Sequence, residues 1–334
     1  MVKKKYLFSP KPGFLYVRKG GRYLGRITAD EGTEEFDRQY WQILTGKVFA
    51  AKRSWKALIA SYRRSDRWVN LKSTTRAFYE PVMTYVLEKN GDKDMTKMQR
   101  KDVLAAMQAN THRARFANAI PSVLSVICEH AIDLGWIKEN PAKGIRKIKI
   151  PKEKQRPHIV PTDADVKAFR ARASERALLI FEIGVGTVQR PGDWVGFTWG
   201  DYDGSTLKLR QNKTDVPLKL PCTPLLKAAL DRAKASLGAE PHPARTILTT
   251  VRGERLTYNG LLQIMRKERA RLGMAKAFDQ HGLRYRGVME LAWAGCDDDE
   301  IASFSGHTTK AMIIKYAGEA RQIMRAIQAA SKRQ

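Results

Sequence analysis

The C-terminal half of the chain carries a widely spaced set of residues able to do chemistry on a phosphate. In order they are Arg190 after an apolar run, Lys213 in a turn between two short alternating runs, His281 and Arg284 one helical turn apart, His307 in Ser305-Gly306-His307, and Tyr316 nine residues further on. Guanidinium groups stay charged at any working pH and offer a fixed fork of donors, which suits the nonbridging oxygens of a phosphate. Attack on phosphorus needs a nucleophile as well, and an acid for the oxygen that leaves. Metal ions held by carboxylate clusters often supply the positive charge. Here the acidic run Asp297-Asp298-Asp299-Glu300 opens a helical pattern and reads as N-terminal capping, so no metal is expected and positive side chains must serve instead.

Taken singly, each residue has an ordinary reading. Tyr316 fits the apolar run Ala311-Met-Ile-Ile-Lys-Tyr316 as a core aromatic. His281 can be an N-cap with Arg284 on an ordinary helix face, Arg190 can pair with Asp193, Lys213 can be a solvated turn lysine, and His307 can cap the last helix. It is their order and spacing together that the ordinary readings fail to explain. Asp193 is read as structural, buttressing the loop of Arg190.

The surrounding elements must position these groups. Helical spacing runs through Asp163–Ala173, Glu175–Gly184, Pro224–Leu237, Leu256–Leu272, His281–Ala294, Asp299–Ser305 and Lys310–Ala330, with Thr162 as an N-cap and Asp165 three residues on. Ser205–Arg210, Gln211–Asp215 and Val216–Leu220 read as strand, turn and strand. Upstream, the periodicity is helical from about Thr33 to Asn140, and Trp55–Tyr62, Phe78–Leu87, Lys101–Met107 and Ala117–Leu134 predict a small helical bundle, which Asn140-Pro141 ends. Residues 1–29 hold eight basic side chains and no acid, and two β-type runs flank Lys19-Gly20-Gly21, a basic hairpin signal. Lys143–Arg156 carries seven basic residues against one acid and reads as a linker. The expected organisation is a hairpin segment over 1–50, a helical domain over 51–145, a basic linker over 146–160 and the chemical domain, with a tail helix, over 161–334. The fold class is mainly α with a small antiparallel β-sheet (α+β).

Charge narrows the partner. Lysine and arginine number 61 against 34 acidic residues in 334, a formal net charge of +27, which calls for a polyanion. No apolar run approaches the roughly 20 residues of a spanning helix, and no signal-peptide core is present, so nucleic acid is preferred to a membrane. Cys128, Cys222 and Cys296 are far apart and read as free thiols of a cytoplasmic protein, without disulfide or zinc.

The ensemble resembles the tyrosine recombinase (phage integrase) family. The resemblance is carried by Thr187-Val-Gln-Arg190-Pro-Gly-Asp193 followed by Trp199-Gly-Asp201, by Gln211-Asn-Lys213-Thr with the following Val-Pro-Leu, and by the stretch from His281 through Arg284 and His307 to Tyr316. These motifs span the catalytic domain and are specific as a set, each being weak alone. The resemblance implies that Arg190 and Arg284 grip the scissile phosphate, that Tyr316 attacks it to leave a 3′-phosphotyrosine and a free 5′-hydroxyl, that His281 accepts or positions the phenol proton, that His307 donates to the phosphate, and that Lys213 is the acid for the 5′-oxygen. It implies no cofactor.

The resemblance further implies that the bundle is a core-binding (SAM-like) domain, that the partners are double-stranded DNA attachment sites, and that a homo-tetramer assembles on two duplexes, with accessory DNA-bending or directionality factors as possible helpers. The amphipathic tail over 317–334, with Ile323, Ile327 and Ala330 on one side, can pack on its own domain or pass to a neighbouring protomer. The activity so implied is site-specific DNA recombination, and the hairpin segment points to the integrase of a prophage or mobile element. The rivals are a type IB topoisomerase-like relaxing enzyme, which shares the chemistry, and a DNA-binding relative without catalysis. Two positions depart from the family pattern: Val188 stands where glycine is common, and Ser305 where leucine is common before Gly306.

Overall fold

The computed structural model describes residues 4–46, 51–306 and 309–333. The chain divides into two compact units, Met1–Gln155 and Arg156–Gln334.

The first unit opens with an antiparallel sheet in the order β1 (Leu7–Lys11), β2 (Phe14–Lys19), β3 (Arg22–Ile27), followed by α1 (Glu34–Thr45). The sequence pattern predicts only the β2–β3 hairpin. The extra strand β1 contains Pro10, which normally argues against a strand but is tolerated at a sheet edge, where no ladder partner needs its missing N–H. The helix α1 stands where the helical periodicity begins, at about Thr33. It begins at the cap Thr33, whose hydroxyl accepts from the Phe36 amide at 3.1 Å, and it buries Phe36 and Tyr40 against Val17 and Ile27 of the sheet. The opposite sheet face is basic and aromatic. The Arg18 guanidinium lies 5.2 and 5.3 Å from the Phe8 and Tyr23 rings, and Arg26 lies 4.3 Å from Phe14.

The bundle consists of α2 (Trp55–Arg64), the single turn α3 (Asp66–Val69), α4 (Ser73–Asn90), α5 (Arg100–Ala109) and α6 (Ala114–Asp133). Leu58, Ile59, Tyr62, Met83, Ile120 and Ile127 form its buried centre. The predicted linker is partly tied down at its start. The Asn118 side chain donates to the Ile148 carbonyl at 2.9 Å and accepts from the Ile148 amide at 2.8 Å. That reciprocal pair satisfies both backbone groups of Ile148, which lies outside any helix or strand.

The second unit contains α7 (Asp163–Arg172), α8 (Glu175–Thr187), the one-turn α9 (Pro191–Trp194), the hairpin β4 (Thr206–Arg210) and β5 (Pro217–Pro221), then α10 (Pro224–Ala235), α11 (Tyr258–Arg271), α12 (Gln280–Trp293), α13 (Asp298–Ser305) and α14 (Lys310–Ser331). A reciprocal capping box at Thr162 and Asp165 starts α7. Helix α8 is apolar on nearly every side because α10, α11 and α12 all pack on it. Gly184 lets Trp194 and Leu283 in, since a Cβ there would lie 2.8 Å from the Trp194 ring and 3.0 Å from Leu283 Cβ. The β4–β5 register sets Leu207 opposite Leu220 and Leu209 opposite Leu218, which turns these side chains toward the core. The acidic run before α13 is a cap: Asp297 accepts from the Glu300 amide at 2.8 Å and Glu300 from the Asp297 amide at 2.7 Å. No helix among the described residues is long and apolar enough to cross a membrane.

Candidate active site

The first turn of α12 anchors the site. Asp279 caps it, with Oδ1 accepting from the Gly282 amide at 2.9 Å and Oδ2 from the Ile159 amide at 3.0 Å, while His158 Nδ1 sits 3.2 Å from both oxygens. Burial pushes the Asp279 carboxyl up, but the two amides and His158 outweigh it and hold the group below the usual aspartate range. The chain at 159–160 therefore crosses directly over α12. Only glycine fits beneath it, since a Cβ on Gly282 would stand 1.9 Å from the Ile159 carbonyl oxygen. This crossing explains the glycine inside His281-Gly-Leu-Arg284.

His281 follows the cap and stacks on His158, with ring centroids 4.4 Å apart and planes 26° from parallel. Burial, and then the charges of His158 and Arg284, bring its pKa down to about 4 against a smaller upward pull from Asp279. At neutral pH the ring is uncharged and one nitrogen is free of a proton, as a proton acceptor requires. Three residues on, Arg284 is almost fully buried, and Nη2 donates to the Ser305 carbonyl at 3.1 Å. Burial and the neighbouring charge of Arg190 bring its pKa down to about 10, so it keeps its charge at neutral pH.

Arg190 reaches the same place from the end of α8. Val188 ends that helix in the left-handed region, at φ +57°, and turns the chain into α9, with Pro191 at its first position. A β-branched residue is strained there, yet Val188 is buried in a cluster with Val288, Ile313 and Tyr316. Arg190 is half-buried, and its Nη1 is enclosed without a hydrogen-bond partner among the described residues. Asp193 does not pair with it. Asp193 Oδ1 accepts from the Asn212 amide at 2.9 Å, and Asn212 Nδ2 donates to the Gly192 carbonyl at 3.2 Å, so the carboxylate ties the hairpin turn to the arginine loop. Lys213 is the next residue, exposed on that turn.

Tyr316 lies on α14, buried, with its ring stacked on Tyr285 at 3.9 Å between centroids and 24° between planes. The Arg284 guanidinium is 6.0 Å from the Tyr316 ring centre. Arg321 of α14 pairs with Asp298 and donates to the Cys296 carbonyl at 3.0 Å, fixing the helix against the start of α13. The fold thus gathers Arg190, His281, Arg284 and Tyr316. Lys213 stands on the turn that Asn212 tethers to the arginine loop, and His307 lies outside the described residues. Among the described residues, no group of three or more His, Cys, Asp or Glu side chains is placed to hold a metal ion.

Sequence reasoning missed His158, Tyr285, Gln189 and Gln211. His158 falls in the stretch read as linker, where no periodicity marks it, while Tyr285 looks like any aromatic on a helix. The two glutamines stood inside the motifs, each next to or near a charged residue that drew the attention.

The sequence pattern described as the phage integrase family matches residues 153–322, just over half the chain, and takes in all of these groups. The chain belongs to the phage integrase family. The integrase of Enterobacteria phage 434 is 27% identical over 195 residues, covering 55% of this chain and 52% of that one. The integrase of Mycobacterium phage FRAT1 is 28% identical over 218 residues, covering 58% and 63%. This family member therefore spans between half and two thirds of the length of these curated relatives. Among solved structures, a lambda integrase dimer bound to a COC′ core site superposes with a TM-score of 0.62 at 20% identity, covering 95% of both chains. The Tn1549 transposon integrase in complex with circular intermediate DNA gives a TM-score of 0.65 at 18% identity, covering 80% of this chain and 95% of that one. The phage integrase fold is thus shared along the chain, mainly α with small antiparallel sheets.

Proposed function

We propose that this phage integrase family member is a site-specific DNA recombinase, the integrase of a prophage or mobile element, which cleaves and rejoins strands through a 3′-phosphotyrosine on Tyr316. The observation that carries this reading is the enclosed guanidinium nitrogen of Arg190, which has no hydrogen-bond partner among the described residues and stands close enough to Arg284 to depress its pKa. Two charged forks converging beside a tyrosine suit an anionic oxygen as the missing acceptor. The scissile phosphate supplies it.

In the proposed reaction, Tyr316 Oη attacks phosphorus and its proton passes to the neutral ring of His281. A phenol has a pKa of about 10 and needs such an acceptor near neutrality. The Oη–P bond forms as the P–O5′ bond breaks, and Lys213 gives a proton to the departing 5′-oxygen. Arg190, Arg284 and His307 carry the charge that gathers on the nonbridging oxygens. A 5′-hydroxyl of another strand then attacks the phosphotyrosine and reverses each of these transfers. Exchange between two duplexes needs four protomers, and a lambda integrase tetramer bound to a Holliday junction offers the pattern. The exposed Ile323 and Ile327 on α14 are available to a neighbouring protomer. Double-stranded attachment-site DNA is the partner that the net charge of +27 favours.

The test is a nicked suicide substrate bearing the element's own attachment site. The native chain is expected to become covalently joined to DNA and the Tyr316→Phe variant to bind without joining. No adduct with the native chain would sink the reading.

A further inference from the structure

Two buried glutamines that take no part in these steps join the segments that do. Gln189 and Gln211 are both fully buried. Gln211 follows β4 directly and stands two residues before Lys213. Its Nε2 donates to Gln189 Oε1 at 2.6 Å and to the Ser305 carbonyl at 3.0 Å, and its Oε1 accepts from the Thr214 hydroxyl at 2.5 Å. Gln189 Nε2 in turn donates to the carbonyls of Thr187 at 2.9 Å and Phe304 at 3.1 Å.

The last carbonyls of a helix have no partner within it. At the end of α13 those carbonyls are taken by Gln189 from the Arg190 loop, by Gln211 from the lysine turn and by Arg284 from α12. Gly306 completes the joint. It adopts φ +67°, and a Cβ there would lie 2.4 Å from Gln211 Nε2, so the carboxamide packs flat on the glycine that precedes His307. A buried carboxamide satisfied on both its oxygen and its nitrogen is a rigid fixture, because leaving either end unpaired in that environment is costly.

We infer that Gln211 is a positioning residue for Lys213, fixing the base of the turn so that a flexible, exposed ammonium is delivered to the leaving oxygen. Asn212 holds one side of the turn to Asp193, and Gln211 with Thr214 holds the other to the end of α13. The inference rests on the acid role given to Lys213 above. Its chemical consequence is specific. When P–O5′ breaks, the Lys213 proton must reach O5′, whereas a sulfur in that bridging position leaves as a stable thiolate with no proton. Sulfur therefore erases a defect in proton delivery and leaves untouched a defect in the nucleophile or in the grip on the phosphate.

The experiment compares covalent adduct formation on nicked substrates with oxygen or sulfur bridging at the 5′ position. The native chain, Lys213→Ala, Gln211→Met and Thr214→Val are each matched for DNA binding. Gln211→Met is expected to slow the oxygen reaction by at least about tenfold, part of the roughly 10²–10⁴-fold that a well-placed general acid contributes, and to run within about threefold of the native chain on sulfur. Thr214→Val, at an exposed position, removes only the hydroxyl that Gln211 Oε1 accepts from and should show a smaller loss with the same rescue. Equal loss on both substrates, or no loss on oxygen, for Gln211→Met and Thr214→Val would overturn the inference while Lys213→Ala is rescued. If Lys213→Ala itself is not rescued by sulfur, the acid role of Lys213 fails and the inference fails with it.

Discussion

The neutral state of His281 gives the sharpest prediction, because its cause is local and its effect is readable in a rate. Burial comes first, followed by the positive charges of His158 and Arg284 and a smaller one from Arg190, and together these bring the ring to a pKa of about 4 although Asp279 pulls the other way. If His281 takes the Tyr316 proton, the cleavage rate follows the unprotonated fraction. With the observed environment that fraction stays above about nine tenths down to about pH 5.5, whereas an imidazole of ordinary pKa, about 6.5, would retain only about one tenth there. Single-turnover adduct formation is therefore expected to change by less than about twofold between pH 7.5 and 5.5, where a normal histidine predicts about a tenfold fall. His281→Gln supplies the control, being slow but unable to titrate. An acid limb centred near pH 6.5 in the native chain and missing from His281→Gln would refute the reasoning. The sign for stability agrees. A base whose folded pKa is lowered stabilises the fold fully above its unfolded value and loses that contribution as pH falls toward the folded one, so His281 weakens the fold between about pH 6.5 and about 4.

Three further outcomes follow from the geometry. At Val188, the usual advantage of Ala over Gly should vanish: glycine gives up one more buried carbon than alanine, worth about 0.8 kcal/mol, and about 0.5–1 kcal/mol in extra chain freedom, but it escapes the cost of about 1–2 kcal/mol that the left-handed backbone imposes on an L-residue. Val188→Gly and Val188→Ala should therefore melt close together, and a clear advantage of Val188→Ala in thermal denaturation would show that the residue is not strained. Gly282→Ala drives a Cβ into the Ile159 carbonyl and should destabilise by about 2–3 kcal/mol, the upper range for overpacking, while lowering adduct formation, since His281 sits on the displaced turn; native-like melting would contradict the crossing described here. Reversing charge on the basic and aromatic face of the N-terminal sheet, with Arg18→Glu and Arg26→Glu together, should weaken binding to double-stranded DNA and flatten its salt dependence, and unchanged binding would confine that face to another role.

Much of the second unit could be read in the sequence because its signals are local. Thr162 with Asp165, Asp297 with Glu300, and the alternation through Leu207, Leu209, Leu218 and Leu220 each act within one turn or one hairpin, and the helices and the hairpin stand where those signals put them. The order Arg190, Lys213, His281, Arg284, His307 and Tyr316 likewise lies in the sequence, since motif spacing needs no coordinates. At the N-terminus the same reasoning missed β1, because Pro10 argues against a strand wherever the edge is unknown.

Other features needed the tertiary structure, because they depend on which distant segments meet. His158 becomes a neighbour of His281 only because the chain at 159–160 crosses α12, and that crossing requires Gly282 and adds to the burial and arginine charges that keep His281 uncharged. Gln189 and Gln211, ordinary polar residues in the sequence, become the joint between three segments at the end of α13. Sequence determined which groups the chain owns and their order along it. Tertiary packing decided their protonation and their reach, since both are set by burial and by charges contributed from far along the chain.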